Sequence, residues 1–147
     1  MNKKVHPLYN DEIERALRHI KGFIGVFSRD EAKKLKNGQC LVLNLDGVLG
    51  SGTHWVGYYR KNDSIYYFDS FGLPPPQDVI DQYRDCCRMF YSSNEIQKMK
   101  SIKCGYYVIM FLDEVHNGKS MYDFIYQFDP EPSNKNENMV LKYFGLL

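Results

Sequence analysis

Apolar and polar residues alternate in short blocks, and the first third of the chain predicts two helices with a short apolar run between them. Apolar residues at helical spacing predict a first helix over residues 10–19. The apolar run Phe23–Phe27 follows it. Ser28 with Glu31 three residues later is a capping-box pattern, so we expect a second helix that ends near Lys36.

The middle of the chain predicts a small sheet. Residues 40–45 (CLVLNL) are apolar enough for a central strand. Two further apolar and aromatic runs, 54–60 and 65–69, flank the polar residues 61–64, which is typical of a hairpin loop. The pattern therefore predicts an antiparallel hairpin or meander.

Helical patterns dominate beyond the hairpin. Three prolines at 74–76 favour the entry to a helix over about 77–88. Residues 104–115 (CGYYVIMFLDEV) form the most apolar helical stretch of the chain. Ser120 begins a further expected helix, which ends near Phe128.

The C-terminal segment combines a polar part with an apolar part. Residues 129–138 (DPEPSNKNEN) are polar and contain prolines, so we expect a mobile loop or tail. Residues 139–147 are apolar enough to dock back on the core. Without an internal repeat or a long linker, the whole pattern predicts a single α+β domain over residues 1–147.

Composition and charge exclude several classes of function. The chain has 147 residues, of which 44% are hydrophobic and 15% aromatic, as in globular proteins. A formal net charge of +1 does not favour capture of nucleic acid, although lysines at 33, 34 and 36 form a short basic stripe. No apolar run approaches the roughly 18–20 residues of a membrane span, and the N-terminus lacks a signal-peptide pattern. We therefore expect neither membrane association nor secretion.

Four cysteines stand at positions without the spacing of a structural site: Cys40, Cys86, Cys87 and Cys104. They are too few for a disulfide scaffold and lack the paired CxxC spacing of a zinc site, so no metal is expected. Chemical reactivity is then one reason for the presence of at least one of them.

Cys104 is the first candidate for chemistry, because it begins the most apolar predicted helix. The positive end of a helix favours a thiolate over a thiol, and its first N–H groups can bind an oxyanion. Gly105, directly after it, is expected to leave room for a substrate backbone. The alternative is that Cys104 is a small apolar core residue.

His54 and Asp69 are candidates for the base and its orienting partner. They begin and end the two hairpin strands, and their midpoint falls inside residues 61–64, so pairing of the strands brings them close together. The alternatives are a structural histidine beside Trp55 and an aspartate that caps the turn 70–72.

Four stretches together resemble the adenains, the adenovirus-type maturation cysteine proteases. They are Phe23–Phe27 (FIGVF), Gly52–Trp55 (GTHW), Phe68–Gly72 (FDSFG), and Gln97 followed seven residues later by Cys104-Gly105. Their clan includes SUMO-deconjugating proteases and the proteases of Polinton-type elements and virophages. The resemblance covers roughly residues 23–112, with aspartate for glutamate at 69 and serine for proline at 70.

The resemblance implies a papain-like, adenain-like fold, in which a small mixed or antiparallel sheet is flanked by helices and the nucleophile begins a buried helix. It implies that Cys104 is the nucleophile, His54 the general base and then acid, and Asp69 the orienting carboxylate. Gln97 would donate its amide to the oxyanion hole; the alternative is a solvated loop residue. The resemblance further implies cleavage of viral capsid or core precursors after glycine, at Gly-Gly-X or Gly-X-Gly sites, and a location in the host cytoplasm or nucleus and the virion interior.

The resemblance also suggests an activating partner. Cys86 lies eighteen residues before Cys104, the distance at which adenains carry the cysteine that binds an activating peptide. The alternative is that Cys86 and Cys87 are ordinary helix cysteines. Dependence on DNA is not expected at this net charge, and a cofactor is not required by the sequence.

Three other functions remain open. The first is a deconjugating protease that acts on a ubiquitin-like modifier. The second is a non-enzymatic binding module on the protease scaffold. The third is a thiol redox protein that uses Cys86 and Cys87, although it would lack CxxC spacing.

Overall fold

The computed structural model describes residues 5–45 and 54–147, and these contain five strands, five α-helices and one 3₁₀ turn. The strands are β1 (Phe23–Ser28), β2 (Cys40–Asn44), β3 (Trp55–Lys61), β4 (Ser64–Phe68) and β5 (Arg88–Tyr91). The helices are α1 (Asn10–Leu17), α2 (Gln77–Gln82), α3 (Cys104–His116), α4 (Met121–Tyr126) and α5 (Asn134–Tyr143).

The strands form one mixed sheet in the order β1-β2-β3-β4-β5. The central strands β2, β3 and β4 are antiparallel, as the meander pattern predicts, and the two outer strands each add in parallel. The α+β class and the mixed sheet flanked by helices are thereby confirmed.

Both faces of the sheet are covered. Helices α1, α3, α4 and α5 pack on one face, while α2 and the segment around Leu35 pack on the other. Helix α3 approaches β3 closely because Gly57 has no side chain: a Cβ there would lie 2.8 Å from Cγ1 of Val108. This contact holds the helix that begins with Cys104 against the strand that follows His54.

The second predicted helix is wrong. Only Arg29–Glu31 form a single 3₁₀ turn, and the hydroxyl of Ser28 donates to the carboxylate of Glu31 at 2.9 Å instead of capping a helix. Among residues 29–36 only Leu35 is buried, so this segment has no apolar face with which a helix could pack. The three lysines of the basic stripe are exposed.

The helix expected over 77–88 is also too long, because α2 ends at Gln82 and the chain turns into β5 at Arg88. The side chains of β5 are mostly exposed, so its sequence carries no alternation of apolar and polar residues. A short edge strand of this kind gives little signal in a hydrophobic pattern.

The mobile loop or tail expected over 129–138 is wrong in its second half. Helix α5 begins at Asn134, and the hydroxyl of Ser133 caps it by accepting from the backbone N–H of Asn136 at 3.0 Å. Asn136 and Glu137 are buried although both are polar. The apolar residues that follow do dock on the core, with Val140 fully buried.

Some expectations fall on residues 1–4 and 46–53, which lie outside the described residues; among them are Gly52 and Thr53 of the GTHW stretch. Within residues 5–45 and 54–147, no helix combines the length and the apolar character needed to cross a bilayer. The same residues contain no group of three histidine, cysteine or acidic side chains arranged to hold a metal ion.

Candidate active site

The β3–β4 hairpin brings His54 and Asp69 together. Gly57 pairs with Phe68, so the extended register leaves Asp69 diagonal to His54 rather than opposite it. The Nε2 atom of His54 nevertheless lies 2.9 Å from Oδ1 of Asp69, a hydrogen-bonding distance. The contact between His54 and Asp69 that the strand spacing predicts is therefore present, although the strands pair in a slightly different register from the expected one.

Asp69 contacts both its own turn and the histidine. Its Oδ1 also accepts from the backbone N–H of Phe71 at 2.8 Å, so the carboxylate caps the turn after β4. The Phe71 ring stacks on the imidazole of His54, with 4.9 Å between ring centroids. The two interpretations of Asp69, a turn cap and a partner of the histidine, are therefore both correct, and they share one carboxylate oxygen.

The environment of His54 favours its protonated form. Burial of the ring works against the charge, but the hydrogen bond to Asp69 and the electrostatic interactions with Asp69 and Cys104 raise its pKa to about 9. Nε2 faces Asp69, whereas the other ring nitrogen, the buried Nδ1, makes no hydrogen bond among the described residues. The imidazole thus bonds to a buried carboxylate and interacts electrostatically with Cys104.

Cys104 is the first residue of α3, as predicted, and is only 6% exposed. The space next to it is not left for a substrate, because a Cβ on Gly105 would lie 3.3 Å from both Leu8 and Trp55. The indole N–H of Trp55 donates to the carbonyl of Leu8 at 3.2 Å and holds the N-terminal segment there. The expectation that Gly105 leaves room for substrate is therefore wrong: the glycine admits the chain's own N-terminal segment.

Gln97 is fully buried, which excludes the solvated-loop alternative. Its Oε1 accepts from the hydroxyl of Ser70, and its Nε2 donates to the carbonyl of Ser101 at 2.9 Å. Its backbone N–H donates to the carbonyl of Ser70 at 3.1 Å. Gln97 therefore connects the residue next to Asp69 with the segment that leads into Cys104, and among the described residues its side-chain Nε2 makes one hydrogen bond.

Comparison with known structures finds the same fold in a viral protease. The crystal structure of the ASFV pS273R protease aligns with a TM-score of 0.56 at 20% identity, over 79% of this chain and 58% of that one. A selenomethionine structure of the same protease aligns with a TM-score of 0.47 at 25% identity, over 72% of this chain and 44% of that one. In the first alignment this chain spans somewhat more than half of the viral protease, and what they share at 20% identity is the fold.

A bacterial domain also has this fold. The central domain of an uncharacterized protein, Lpg1148 from Legionella pneumophila, aligns with a TM-score of 0.51 at 15% identity, over 95% of this chain and 94% of the domain. No protein-family model and no curated protein sequence matches the chain. The specific resemblance to adenains therefore stays a prediction from the motifs.

The remaining cysteines lie in different surroundings. Cys86 and Cys87 lie in the turn after α2, with their sulfur atoms 2.7 Å apart, and Cys86 also contacts the carbonyl of Tyr83. Burial and the hydrogen bond with Cys86 raise the pKa of Cys87 to about 11, and burial raises that of Cys40 to about 12. A thiol held in its protonated form is a poor nucleophile, which argues against a redox role for Cys87.

Two residues of this region could not be assigned from the sequence pattern. Ser70 fixes the orientation of the Gln97 amide, and its place beside Asp69 in FDSFG is the signal that could have pointed to it. Asn136 donates from α5 to the carbonyl of Ile96. A capping serine at 133 before apolar residues at helical spacing was the available signal for α5.

Proposed function

We propose that this chain is a cysteine endopeptidase with Cys104 as its nucleophile. The observation that carries the proposal is the imidazole of His54, which bonds to the buried carboxylate of Asp69 and interacts with Cys104 at the start of α3. A nucleophile, a base and a group that orients the base form the minimal arrangement for nucleophilic catalysis of acyl transfer. A fold shared with a viral protease agrees with this class of reaction.

In the first half of the reaction, the proton of the Cys104 thiol already resides on His54, and the thiolate attacks the carbonyl carbon of the scissile peptide bond. The C–N bond then breaks, and the leaving amine takes the proton from the imidazolium. The product is a thioester on Cys104. In the second half, His54 accepts a proton from water, the hydroxide attacks the thioester, and the thiol of Cys104 and a carboxylate product are released.

Stabilisation of the tetrahedral intermediate is assigned to the start of α3 and to Gln97. The positive end of this 13-residue helix lies at the nucleophile, so a developing oxyanion meets N–H groups there. The second amide hydrogen of Gln97 adds a donor whose direction is set by Ser70 and Ser101. Such donors act without reorganisation because they are already in place before the reaction.

For the substrate we propose polypeptides cleaved after glycine, and specifically capsid or core precursors of a DNA virus or virus-like element. The resemblance of the four motif stretches to adenains supports this choice. An activating peptide joined through Cys86 belongs to the same proposal. Cleavage after the Gly-Gly tail of a ubiquitin-like modifier is the competing substrate.

The test is cleavage of Gly-Gly-X and Gly-X-Gly peptides, and of a ubiquitin-like fusion, by wild-type and Cys104→Ala protein. We expect wild type to cleave the peptides and Cys104→Ala to lose about 10⁴-fold or more in rate, because nucleophile and base act as a unit. Cys87→Ala is the matched control and should retain activity, since the pKa of Cys87 is raised.

Two results would contradict the proposal. Turnover by Cys104→Ala at the wild-type rate would exclude Cys104 as the nucleophile. Absence of cleavage by wild type, together with alkylation of Cys104 no faster than that of Cys40, would favour a binding module. Preference for the ubiquitin-like fusion over every peptide would reassign the substrate.

A further inference from the structure

Helix α5 contains a fully buried amide that bonds to backbone groups outside its own helix. The side-chain Nδ2 of Asn136 donates to the carbonyls of Ile96 at 3.1 Å, Asp129 at 3.1 Å and Glu131 at 3.0 Å. Its Oδ1 accepts from the backbone N–H of Asp129 at 2.8 Å. The bond to the oxygen fixes which end of the amide faces Ile96, so the donors point toward that segment.

The acceptor at Ile96 is the carbonyl of the peptide bond that leads into Gln97. Residues 92–103 form neither helix nor strand, so no ladder of backbone hydrogen bonds holds this peptide. On its other side, the backbone N–H groups of Ile96 and Gln97 donate to the carbonyl of Ser70, at 3.0 and 3.1 Å. The peptide is thus fixed between the turn after β4 and the amide of Asn136.

Glu137, the next residue of α5, connects this turn of the helix to α3. The carboxylate of Glu137 accepts a hydrogen bond from the hydroxyl of Tyr107, and its Oε1 lies 3.7 Å from Nζ of Lys103. Burial, with Glu137 beside it, raises the pKa of the Tyr107 hydroxyl well above its usual range, so it stays a donor. One turn of α5 therefore contacts both the Gln97 segment and the beginning of the helix that starts with Cys104.

We propose that Asn136 is a positioning residue, which holds the Gln97 amide in register with Cys104 and so keeps the oxyanion site preformed. The inference rests on the proposed function. Small displacements of a positioned group lower rates strongly, even when the mutated residue does not touch the substrate. Loss of the bond to Ile96 is expected to lower kcat about tenfold with little change in KM.

The experiment is a double-mutant cycle with Asn136→Ala and Gln97→Ala, measured on the glycine peptide that wild type cleaves best. If Asn136 acts through Gln97, its substitution lowers kcat about tenfold in the wild-type background and less than about twofold when Gln97 is already alanine. Alkylation of Cys104 by iodoacetamide needs no oxyanion site, so its rate should stay at the wild-type value in Asn136→Ala.

Two further variants separate the loss of the amide donors from a general effect of substitution in α5. Asn136→Asp has nearly the same shape and keeps an oxygen for the N–H of Asp129, but removes both donors; it should reproduce the fall in kcat. Asn138→Ala replaces an exposed asparagine of the same helix and should change nothing. All rates are measured below the unfolding temperature of each variant.

The outcomes separate this inference from the proposed function. Equal effects of Asn136→Ala in both backgrounds, or a parallel loss of Cys104 alkylation, would show a general structural role and overturn the inference alone. An unchanged kcat in Asn136→Ala and Asn136→Asp would also overturn the inference and leave the proposed function in place. Failure of wild type to cleave any substrate would refute the proposed function, and the inference with it.

Discussion

The candidate site has two halves, which meet at two neighbouring residues of one turn and are held together by different kinds of contact. Asp69 faces the hairpin and bonds to His54, whereas Ser70 faces the irregular segment and bonds to Gln97. The hairpin half rests on a backbone ladder and a pair of groups of opposite charge. The other half rests on single hydrogen bonds between side chains and backbone, one of them from α5, forty residues along the chain.

This difference indicates how each half should respond to substitution. A residue of the hairpin half can lose its charge while the strands keep it in place, so the expected change is electrostatic. A residue of the other half has no ladder to replace a lost bond, so the expected change is one of position. The predictions below test this contrast.

Of the three substitutions in the site that we consider, Gln97→Ala should lower activity the most. Removal of one oxyanion donor typically costs about 10²–10³ in kcat, and we expect this loss with KM nearly unchanged. The measurement is steady-state kinetics on the preferred peptide, with Gln77→Ala, an exposed glutamine of α2, as the control. If Gln97 only supports the fold, kcat and Cys104 alkylation will fall together, with a lower unfolding temperature.

Asp69→Asn should cost about 10²-fold in kcat/KM, because the oxygen that bonds to His54 and Phe71 can stay while the charge is lost. The pKa of His54, raised to about 9 in the wild type, should fall, so the alkaline limb of the pH–rate profile should move to lower pH. Asp63→Asn, an exposed carboxylate in the same hairpin, is the control.

The same variant tests the sign of the linkage between protonation and stability. Because folding raises the pKa of His54, its protonated form stabilises the fold fully below about pH 6.5, and this stabilisation is lost as the pH rises through about 9. Urea unfolding should therefore show a larger destabilisation by Asp69→Asn at pH 6 than at pH 10. Equal destabilisation at both values would mean that the charge of His54 does not contribute.

The hairpin half could be predicted from the sequence because its contacts are local. His54 and Asp69 are fifteen residues apart, and the period of two along paired strands is enough to bring them together. The start of α3 at Cys104 could also be predicted, because an apolar helical pattern begins there.

The motif resemblance singled out Gln97 of the other half, but the contacts of this half could not be predicted, because its buried residues are polar and their partners are distant. Asn136 looks like a loop residue until the carbonyl of Ile96 is known to lie beside it. The burial of Gln97 depends in the same way on Ser70 and Ser101. A hydrophobic pattern records which residues leave water for an apolar core, and it does not record amides satisfied by backbone groups.

Gly72 lies where the two halves touch, and its substitution should have the smallest effect on activity. Its backbone has φ +72°, and a Cβ there would lie 2.6 Å from the carbonyl oxygen of Ser93. Gly72→Ala therefore meets both a left-handed backbone and a backbone clash, and should destabilise the fold by about 2–3 kcal/mol.

Gly118→Ala is the matched control, because Gly118 also has a positive φ, +102°, and nothing lies within 4 Å of its Cβ position. Gly118→Ala should destabilise the fold by about 1–2 kcal/mol, which is the cost of the left-handed backbone without a steric clash. The difference between the two, measured by urea unfolding, isolates the contact between the turn after β4 and the Ser93 segment. If that contact couples the halves, Gly72→Ala will also lower kcat a few-fold, whereas Gly118→Ala will not. Equal destabilisation by both variants, with kcat unchanged, would mean that the two halves behave independently at this point.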